Sequence, residues 1–176
     1  MTQILIAGFG GQGILFAGKF LANKGLLEGR QLSWLPSYGP EMRGGTANCS
    51  VVLSDDPVGS PIVNTPDVLI AMNLPSLQKY VDTVVAGGQI YIDSSLIDAK
   101  VERDDVEVFY IPATQMAKEN GIATLANMII VGHLLENHPE LSFGGVEEVV
   151  EKLVPPKKAA LKELNMKALS LGKNYK

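Results

Sequence analysis

The feature that most constrains the fold is a buried strand pattern that ends directly in a glycine-rich turn. Residues 4–7 form the apolar run Ile-Leu-Ile-Ala, which is typical of a strand covered on both faces of a parallel sheet. Gly8-Phe9-Gly10-Gly11-Gln12-Gly13 comes next, and residues 15–26 then carry apolar side chains at helical spacing. A strand, a tight turn and a helix in this order predict the start of an α/β fold.

The turn matches the G-x-G-x-x-G pattern in the context that this pattern requires. Glycine at these positions allows a tight turn and a close approach of the backbone to a ligand, and the free N–H groups of the following helix attract anions. We therefore predict that Gly8, Gly10, Gly11, Gln12 and Gly13 bind a phosphate or carboxylate. The alternative is that the glycines only allow the strand and helix to pack closely.

A nicotinamide site of this type also has an acidic residue about 20 positions further on, at the end of the second strand. The second predicted strand, residues 31–35, instead ends in Ser33-Trp34-Leu35-Pro36, which contains no acidic residue. Glu28 precedes that strand, and we expect it to be a solvated turn residue. The turn is therefore predicted to be a poor dinucleotide site.

The rest of the chain continues the alternation of strands and helices. Further strands are predicted at residues 46–53, 68–72, 89–93 and 106–111, and helices at 74–85, 115–120, 124–135, 146–153 and 157–171. The pattern predicts a single α/β domain spanning residues 1–176, a Rossmann-like three-layer α/β/α sandwich with a mostly parallel central sheet.

The connection between the second and third strands is unusual, because it has no helical pattern. It reads Pro-Ser-Tyr-Gly-Pro-Glu-Met-Arg-Gly-Gly, so we expect one of these two strands to run antiparallel to its neighbours. Arg43 beside Gly44 places a guanidinium next to flexible backbone N–H groups, which favours a second anion-binding element. The alternative is an exposed loop whose prolines and glycines only turn the chain.

Composition excludes several classes of function. The net charge of −4 and the pI near 5.2 disfavour nucleic acid and anionic membrane surfaces as partners. With no signal-peptide pattern and no apolar run long enough to span a bilayer, we expect a cytoplasmic protein. Cys49 is the only cysteine and there are two histidines, so neither a metal site nor a catalytic group is predicted in this chain.

Several polar residues have ordinary structural interpretations. Asn73 is expected to cap the helix that follows the fourth strand, and Thr114 is expected to cap the helix after Pro112. His133 lies in an apolar helical stretch and is expected to be a packed histidine. The carboxylate of Asp93 follows the fifth strand at the edge of the sheet where ligands bind, although a turn cap explains it equally well.

The two glycine-containing loops together resemble the gamma subunit, or the corresponding domain, of pyruvate, 2-oxoglutarate and 2-oxoisovalerate ferredoxin oxidoreductases. The resemblance extends from the first loop, at residues 8–13, through the second, Tyr-Gly-Pro-Glu-Met-Arg-Gly-Gly, at residues 38–45. It continues into residues 66–72 and the late Ala-Asn-Met of residues 126–128, so it covers most of the chain. The pairing of the two loops is more specific than either one.

The resemblance implies an enzyme subunit that is not catalytic alone. In that family a 2-oxoacid and coenzyme A give an acyl-CoA and CO2, and the electrons pass to ferredoxin. Thiamine diphosphate and the iron–sulfur clusters are implied on partners: alpha and beta thiamine-binding subunits and a ferredoxin-like subunit. The gamma domain contributes to the coenzyme A site, to which the resemblance assigns the glycine turn and, for an anionic group, Arg43. Within this family, the Leu-Pro-Ser-Tyr-Gly-Pro-Glu sequence of residues 35–41 favours 2-oxoglutarate as the substrate.

Two other functions remain open from the sequence. One is a free-standing Rossmann-type nucleotide-dependent oxidoreductase, which would bind its cofactor as a single chain. The other is a purely structural subunit that supports its partners and binds no ligand.

Overall fold

The computed structural model describes residues 1–37 and 46–176, which form one six-stranded sheet with helices on both faces. The strands are β1 (Thr2–Phe9), β2 (Gln31–Ser37), β3 (Thr46–Ser54), β4 (Val68–Ala71), β5 (Gln89–Asp93) and β6 (Glu107–Ile111). The helices are α1 (Ile14–Leu27), α2 (Leu74–Tyr80), α3 (Ala113–Glu119), α4 (Ala126–Asn137), α5 (Val146–Leu153) and α6 (Ala159–Asn174), with 3-10 turns at Val81–Thr83 and Pro156–Lys158.

The strand order is β2-β3-β1-β4-β5-β6, and one strand is reversed. β1, β4, β5 and β6 pair in parallel, whereas β3 is antiparallel to both β1 and β2. The connection between β2 and β3 is too short for a crossover helix, so these strands must be antiparallel neighbours. The expected antiparallel strand is thus confirmed and is β3.

Side chains alternate between two apolar clusters on opposite faces of the sheet. Along β1, Ile4 and Ile6 belong to one cluster, called the first cluster below, and Leu5 belongs to the other, the second cluster. Since the central strands are covered on both faces, their sequences are continuous apolar runs rather than alternating ones. This explains why the run at residues 4–7 predicted its strand well.

The two covering layers differ in thickness. The first cluster takes residues from α1, α3, α4, α5 and α6, whereas the second is closed by α2 and by the irregular segments that contribute Val63 and Ile97. The Rossmann-like, mostly parallel α/β class is confirmed. One short helix and loops make up the third layer of the sandwich.

The helix that follows β6 begins differently from the prediction. Thr114 lies inside α3, so its expected role as the cap is wrong. The carboxylate of Asp93 caps this helix instead, accepting hydrogen bonds from Thr114 N at 3.3 Å and Thr114 Oγ1 at 2.5 Å. Ser95 Oγ accepts a further bond from Gln115 N at 3.0 Å. Asp93 Oδ1 also accepts a hydrogen bond from Ser95 N at 3.1 Å, so the expected turn cap is correct, whereas its contact with the start of α3 was not predicted.

Two other expectations can be checked directly. Asn73 caps α2 by accepting a hydrogen bond from Ser76 N at 2.8 Å, as predicted. The regular helix ends at Tyr80 and continues only as a 3-10 turn to Thr83, short of the predicted residue 85.

In the part of the chain that the structure describes, no helix is both long enough and apolar enough to cross a membrane.

Candidate anion site at the glycine turn

The glycine turn lies at the carboxyl-terminal edge of the sheet. β1, β4 and β5 run in the same direction, so Phe9, Met72 and Asp93 come to this edge together. In open α/β sheets ligands bind at this edge, where neighbouring strands lead to helices on opposite faces. α1 packs with the first cluster and α2 with the second, so the point between β1 and β4 is such a place.

Two glycines of the turn have backbone conformations that side chains rarely adopt. Gly11 has φ 87° and Gly13 has φ 74°, both in the left-handed region. The turn closes with a hydrogen bond from Gln12 N to the Phe9 carbonyl at 3.3 Å. A Cβ added to Gly11 would meet no atom of residues 1–37 or 46–176 within 4 Å, so this part of the chain leaves space beside Gly11. Gly10 is exposed in the same turn.

Within the helix and its cap, no side chain neutralises the N-terminus of α1. Gly13 supplies no side-chain cap, and the first helical turn contains no acidic residue. The first intrahelical bond runs from Ala17 N to the Gly13 carbonyl at 3.0 Å, so the N–H groups before Ala17 have no intrahelical partner. Such a helix start is positively polarised, and an anion placed there gains typically 0.3–1 kcal/mol or about 2 kcal/mol when partly buried.

A second helix begins against the same turn. α4 also lacks a side-chain cap and an acidic residue in its first turn. Asn127, which is buried, donates from Nδ2 to the Gly13 carbonyl at 3.0 Å. A Cβ on Gly13 would overlap the Asn127 amide, so glycine is needed here for contact as well as for φ. Two positively polarised helix ends therefore meet at Gly13.

The side chain of Gln12 is used within the chain. Its Oε1 accepts a hydrogen bond from Phe9 N at 2.7 Å, and its Nε2 donates to the Met72 carbonyl at 2.9 Å. We predicted Gln12 as a ligand contact, and in this structure both ends of its amide hold the backbone of the turn. The backbone N–H groups of the turn remain as the groups that can face an anion.

Arg43 and Gly44, the other predicted site residues, lie outside the described residues. The strand ends on either side of that segment can be placed. Thr46 pairs with Phe9, and Ser37 pairs with Asn48, two residues further along β3. The connection therefore leaves and enters the sheet at the edge that carries the glycine turn.

Glu28 lies at the opposite edge of the sheet. α1 runs back along the strands, and a Cβ on Gly25 would contact Leu53, the register partner of Thr2. Glu28 follows this end of α1, where it forms an ion pair with the buried Lys24 and accepts a hydrogen bond from Ser142 Oγ at 3.2 Å. Glu28 is exposed in the turn after α1, as expected, and it is also an ion-pair partner. It is far from a ribose at the glycine turn.

Two titratable side chains of the core, Cys49 and His133, are packed into the protein interior. Burial raises the pKa of the Cys49 thiol to about 12, which makes it a poor ligand or nucleophile at neutral pH. His133 is buried as predicted, and its Nδ1 donates to the Gly172 carbonyl at 3.0 Å. Within residues 1–37 and 46–176, no three His, Cys, Asp or Glu side chains are grouped so as to hold a metal ion.

Reasoning from the sequence missed two contributors to the site, Asn127 and the Met72 carbonyl. Met72 and Asn127 are 60 and 114 residues away from their partners in the turn, and only the fold brings them together. The late Ala-Asn-Met segment was noticed as part of a resemblance, but no local pattern indicates that its asparagine holds Gly13.

Comparisons with known proteins agree with this architecture. Residues 3–175 match the family model described as pyruvate ferredoxin/flavodoxin oxidoreductase. The 2-oxoglutarate synthase subunit KorC of Methanothermobacter marburgensis is 37% identical over 178 aligned positions, which cover 97% of this chain and 94% of that subunit.

Other relatives are longer than this chain. The ketoisovalerate oxidoreductase subunit VorA of Methanothermobacter thermautotrophicus is 44% identical over 147 residues, which are 84% of this chain and 30% of VorA. The 2-oxoglutarate:ferredoxin oxidoreductase of Magnetococcus marinus, solved with 2-oxoglutarate, coenzyme A and succinyl-CoA bound, superposes with a TM-score of 0.86 at 26% identity. That match covers 98% of this chain and 30% of the other, so this chain spans about a third of these longer relatives.

Proposed function

The chain belongs to the pyruvate ferredoxin/flavodoxin oxidoreductase family, and from that premise we propose that it is the gamma subunit of a multi-subunit 2-oxoacid:ferredoxin oxidoreductase. The overall reaction takes a 2-oxoacid, coenzyme A and oxidised ferredoxin to an acyl-CoA, CO2, a proton and reduced ferredoxin, which receives two electrons. The observation that carries the proposal is the match to a separate KorC subunit along nearly the full length of both chains.

The part of the reaction that we assign to this chain is binding of coenzyme A. The related Magnetococcus marinus protein was solved with coenzyme A bound. Coenzyme A carries several phosphate charges, and a chain with net charge −4 needs local donors to hold them. The uncapped start of α1, with open space beside Gly11, has the donors and the room that a phosphate group requires.

The redox cofactors are assigned to partner subunits. A four-cysteine iron–sulfur cluster does not fit a chain whose only cysteine is Cys49, buried with its pKa raised. We therefore place the clusters and thiamine diphosphate on alpha, beta and ferredoxin-like subunits, with ferredoxin as the electron acceptor. Thiamine diphosphate, when bound there, supplies the carbanion chemistry of decarboxylation. A cytoplasmic location belongs to the same proposal.

Within that assembly, the residues of this chain bind coenzyme A and orient it. The N–H groups of Gly10, Gly11 and Gly13 and of the first turn of α1 hold a phosphate of coenzyme A. Arg43 neutralises an anionic group of the same molecule from the second loop. Fixing one end of coenzyme A lowers the entropy that must be lost when its thiol reaches the acyl group on a partner subunit.

The substrate proposed is a 2-oxoacid, and the loop wording favours 2-oxoglutarate. KorC and VorA point to different substrates, because KorC matches along nearly its whole length and VorA is more identical over a shorter stretch. A panel of 2-oxoglutarate, 2-oxoisovalerate and pyruvate assayed with the purified complex decides among them.

Co-purification from the native source tests the proposal. Affinity capture of the tagged chain is expected to recover a thiamine-binding subunit and an iron–sulfur subunit, with coenzyme A-dependent reduction of ferredoxin. Recovery of the lone chain as an active, nucleotide-dependent enzyme would show instead the free-standing oxidoreductase. An active complex in which changes to the turn alter assembly but not coenzyme A use would indicate a purely structural subunit.

The role of Arg43 has its own test. We expect Arg43→Ala to raise the Michaelis constant for coenzyme A in the complex by about tenfold, with the Michaelis constant for the 2-oxoacid unchanged, because a charge-assisted hydrogen bond contributes roughly 1.5–3 kcal/mol. Lys157→Ala, which removes the same charge from an exposed residue in a short 3-10 turn, is the control. An unchanged constant for coenzyme A in Arg43→Ala would refute this role.

A further inference from the structure

The amide of Gln12 connects the glycine turn to a neighbouring strand. Gln12 Oε1 accepts a hydrogen bond from Phe9 N at 2.7 Å on the β1 side. Gln12 Nε2 donates to the Met72 carbonyl at 2.9 Å, at the end of β4. Met72 N in turn donates to the Ala7 carbonyl at 2.9 Å, which continues the pairing of β1 and β4 to this point. The side chain thus crosses the edge between two parallel strands.

Gly8 makes the space that this side chain occupies. A Cβ added to Gly8 would lie 2.5 Å from Gln12 Oε1 and 3.1 Å from Met72 Cβ. φ at Gly8 is not in the left-handed region, so the need for glycine here is steric rather than conformational. The first glycine of the turn therefore serves the glutamine side chain, whereas Gly11 and Gly13 serve the backbone.

This arrangement changes which side of the turn can receive a ligand. In dinucleotide-binding sheets the ligand lies in the crevice at the switch point, which here is between β1 and β4. The Gln12 side chain bridges that crevice, and it takes up the N–H of Phe9. The N–H groups of residues 10, 11 and 13–16 remain, because Gln12 N already donates to the Phe9 carbonyl. The side of the turn towards β3, where Thr46 pairs with Phe9, is not bridged by Gln12.

We propose that Gln12 is a positioning residue of the anion site: it locks the glycine turn to β4, closes the dinucleotide crevice and leaves the turn to bind its ligand from the β3 side. The ligand assignment rests on the proposed function. In this account Gln12 acts through the backbone of the turn and does not contact the ligand, so its loss weakens ligand binding without altering the chemical step.

Two variants distinguish the effect of the Gln12 hydrogen bonds from the effect of its side-chain volume. Gln12→Met keeps the length of the side chain and removes both hydrogen bonds. Gln12→Glu keeps an acceptor for Phe9 N and loses the donor to Met72. Gln78→Ala, which changes an exposed glutamine of α2, is the control. In the purified complex we expect Gln12→Met to raise the Michaelis constant for coenzyme A about tenfold, with kcat within about twofold of the wild type. Gln12→Glu should raise it at least as much.

A second measurement, made on the isolated full-length chain, tests the hydrogen bonds of Gln12 without an activity assay. Hydrogen exchange followed by NMR is expected to show a protected Phe9 amide in the wild type and in Gln78→Ala. Exchange should be at least about tenfold faster in Gln12→Met. The same spectra, titrated with inorganic pyrophosphate, should show shifts at Gly10, Gly11 and Gly13 that need a higher concentration in the variant.

The outcomes distinguish this inference from the proposed function. A Phe9 amide that stays protected in Gln12→Met would refute the bridge. Faster exchange with unchanged coenzyme A and pyrophosphate binding would refute its role in positioning. A wild-type complex that does not use coenzyme A would overturn the proposed function, while the pyrophosphate titration would still decide whether Gln12 positions an anion site. Tight binding of NAD+ by the wild type would refute the closed crevice.

Discussion

Cys49 lies in the middle of β3, where its thiol faces the helix layer formed by α1. The thiol is fully buried, and a Cβ on Gly18 would overlap its sulfur. Burial raises its pKa to about 12, whereas the hydrogen bond from Trp34 acts weakly in the opposite direction. The chain's one cysteine is therefore a packing residue.

The burial and the raised pKa of Cys49 predict that its thiol reacts slowly. In the native chain at pH 8, Cys49 is expected to react with a disulfide reagent such as Ellman's at least about a hundredfold more slowly than in the chain unfolded by guanidinium, because only a thiolate attacks and access is blocked. Absorbance of the released thiol measures both rates. Equal rates would mean that Cys49 is accessible and the packing of β3 against α1 is wrong.

His133 links α4 to α6, and its imidazole is packed against Tyr91, Phe109 and Tyr175. Burial lowers its pKa below the ordinary value near 6.5, and the bond to the Gly172 carbonyl opposes this less strongly. The unfolded chain therefore binds a proton at a higher pH than the folded chain. Stability that is fully present above about pH 6.5 is lost as the pH falls below it.

We accordingly expect the free energy of unfolding to fall between pH 7 and pH 5, by at most about 1.4 kcal/mol per pH unit for each histidine. His133→Gln, which keeps a donor for Gly172, should reduce the slope. His138, whose pKa burial also lowers, contributes with the same sign, and His138→Gln measures its share. Urea titrations at several pH values give the slopes. An identical pH dependence in His133→Gln would contradict a neutral, buried His133.

At the residue scale, the sequence predicted the glycine conformations of the turn but not the contacts that hold it. Gly11 and Gly13 were identifiable because a tight turn between a buried strand and a helix needs their conformations. The Gln12 bridge was not, because the position of the Met72 carbonyl follows from the pairing of β1 with β4. The motif alone predicts a ligand contact for the Gln12 side chain, whereas the fold gives it two backbone partners.

At the scale of elements, α4 and α6 form the closest helix pair of the first cluster. The contact passes through two glycines, because a Cβ on Gly132 would overlap the Leu169 carbonyl and one on Gly172 would overlap the Ile129 carbonyl. The overlapping atoms are backbone, so no side chain can move aside. The two helix axes are held together at a distance that only glycine allows.

Alanine at either glycine is therefore expected to destabilise the protein by more than about 2 kcal/mol, because the helices must separate. Gly59→Ala is the matched control, since its Cβ would meet no atom within 4 Å and its φ is ordinary. Chemical denaturation measures all three variants. If Gly132→Ala and Gly172→Ala unfolded at the same midpoint as Gly59→Ala, the close packing of α4 on α6 would be refuted.

The start of α3 shows what local patterns cannot supply. A threonine after a proline is a reasonable cap from the sequence, and Thr114 was chosen on that basis. β6 ends beside β5, so the carboxylate of Asp93 reaches the helix start across the sheet and satisfies Thr114 from 21 residues away. Caps supplied by neighbouring strands follow from topology, whereas the cap by Asn73 is local and was predicted.

At the scale of the whole molecule, hydrophobic patterns predicted the six strands and the α/β class. They also predicted a reversed strand, because the short connection after β2 excludes a crossover. They did not predict that β3 lies between β2 and β1, since strand order depends on pairing choices that leave no local trace. That order brings the strand after residues 38–45 next to the glycine turn.

The proposed function of this chain depends most directly on the glycine turn holding a phosphate of coenzyme A. Gly11 offers a clean test because a Cβ there meets no atom of the described residues, and aspartate and asparagine at φ 87° share a similar strain of about 1 kcal/mol. The two variants differ in charge at the start of α1 and hardly in shape. An aspartate there would occupy the anion site with its own carboxylate.

The deciding measurement is the Michaelis constant for coenzyme A of the purified complex carrying Gly11→Asp, compared with Gly11→Asn. We predict that the aspartate variant has a constant at least about tenfold above that of the asparagine variant, with equal constants for the 2-oxoacid. Equal constants for coenzyme A in the two variants would contradict the claim that this turn binds a phosphate of coenzyme A.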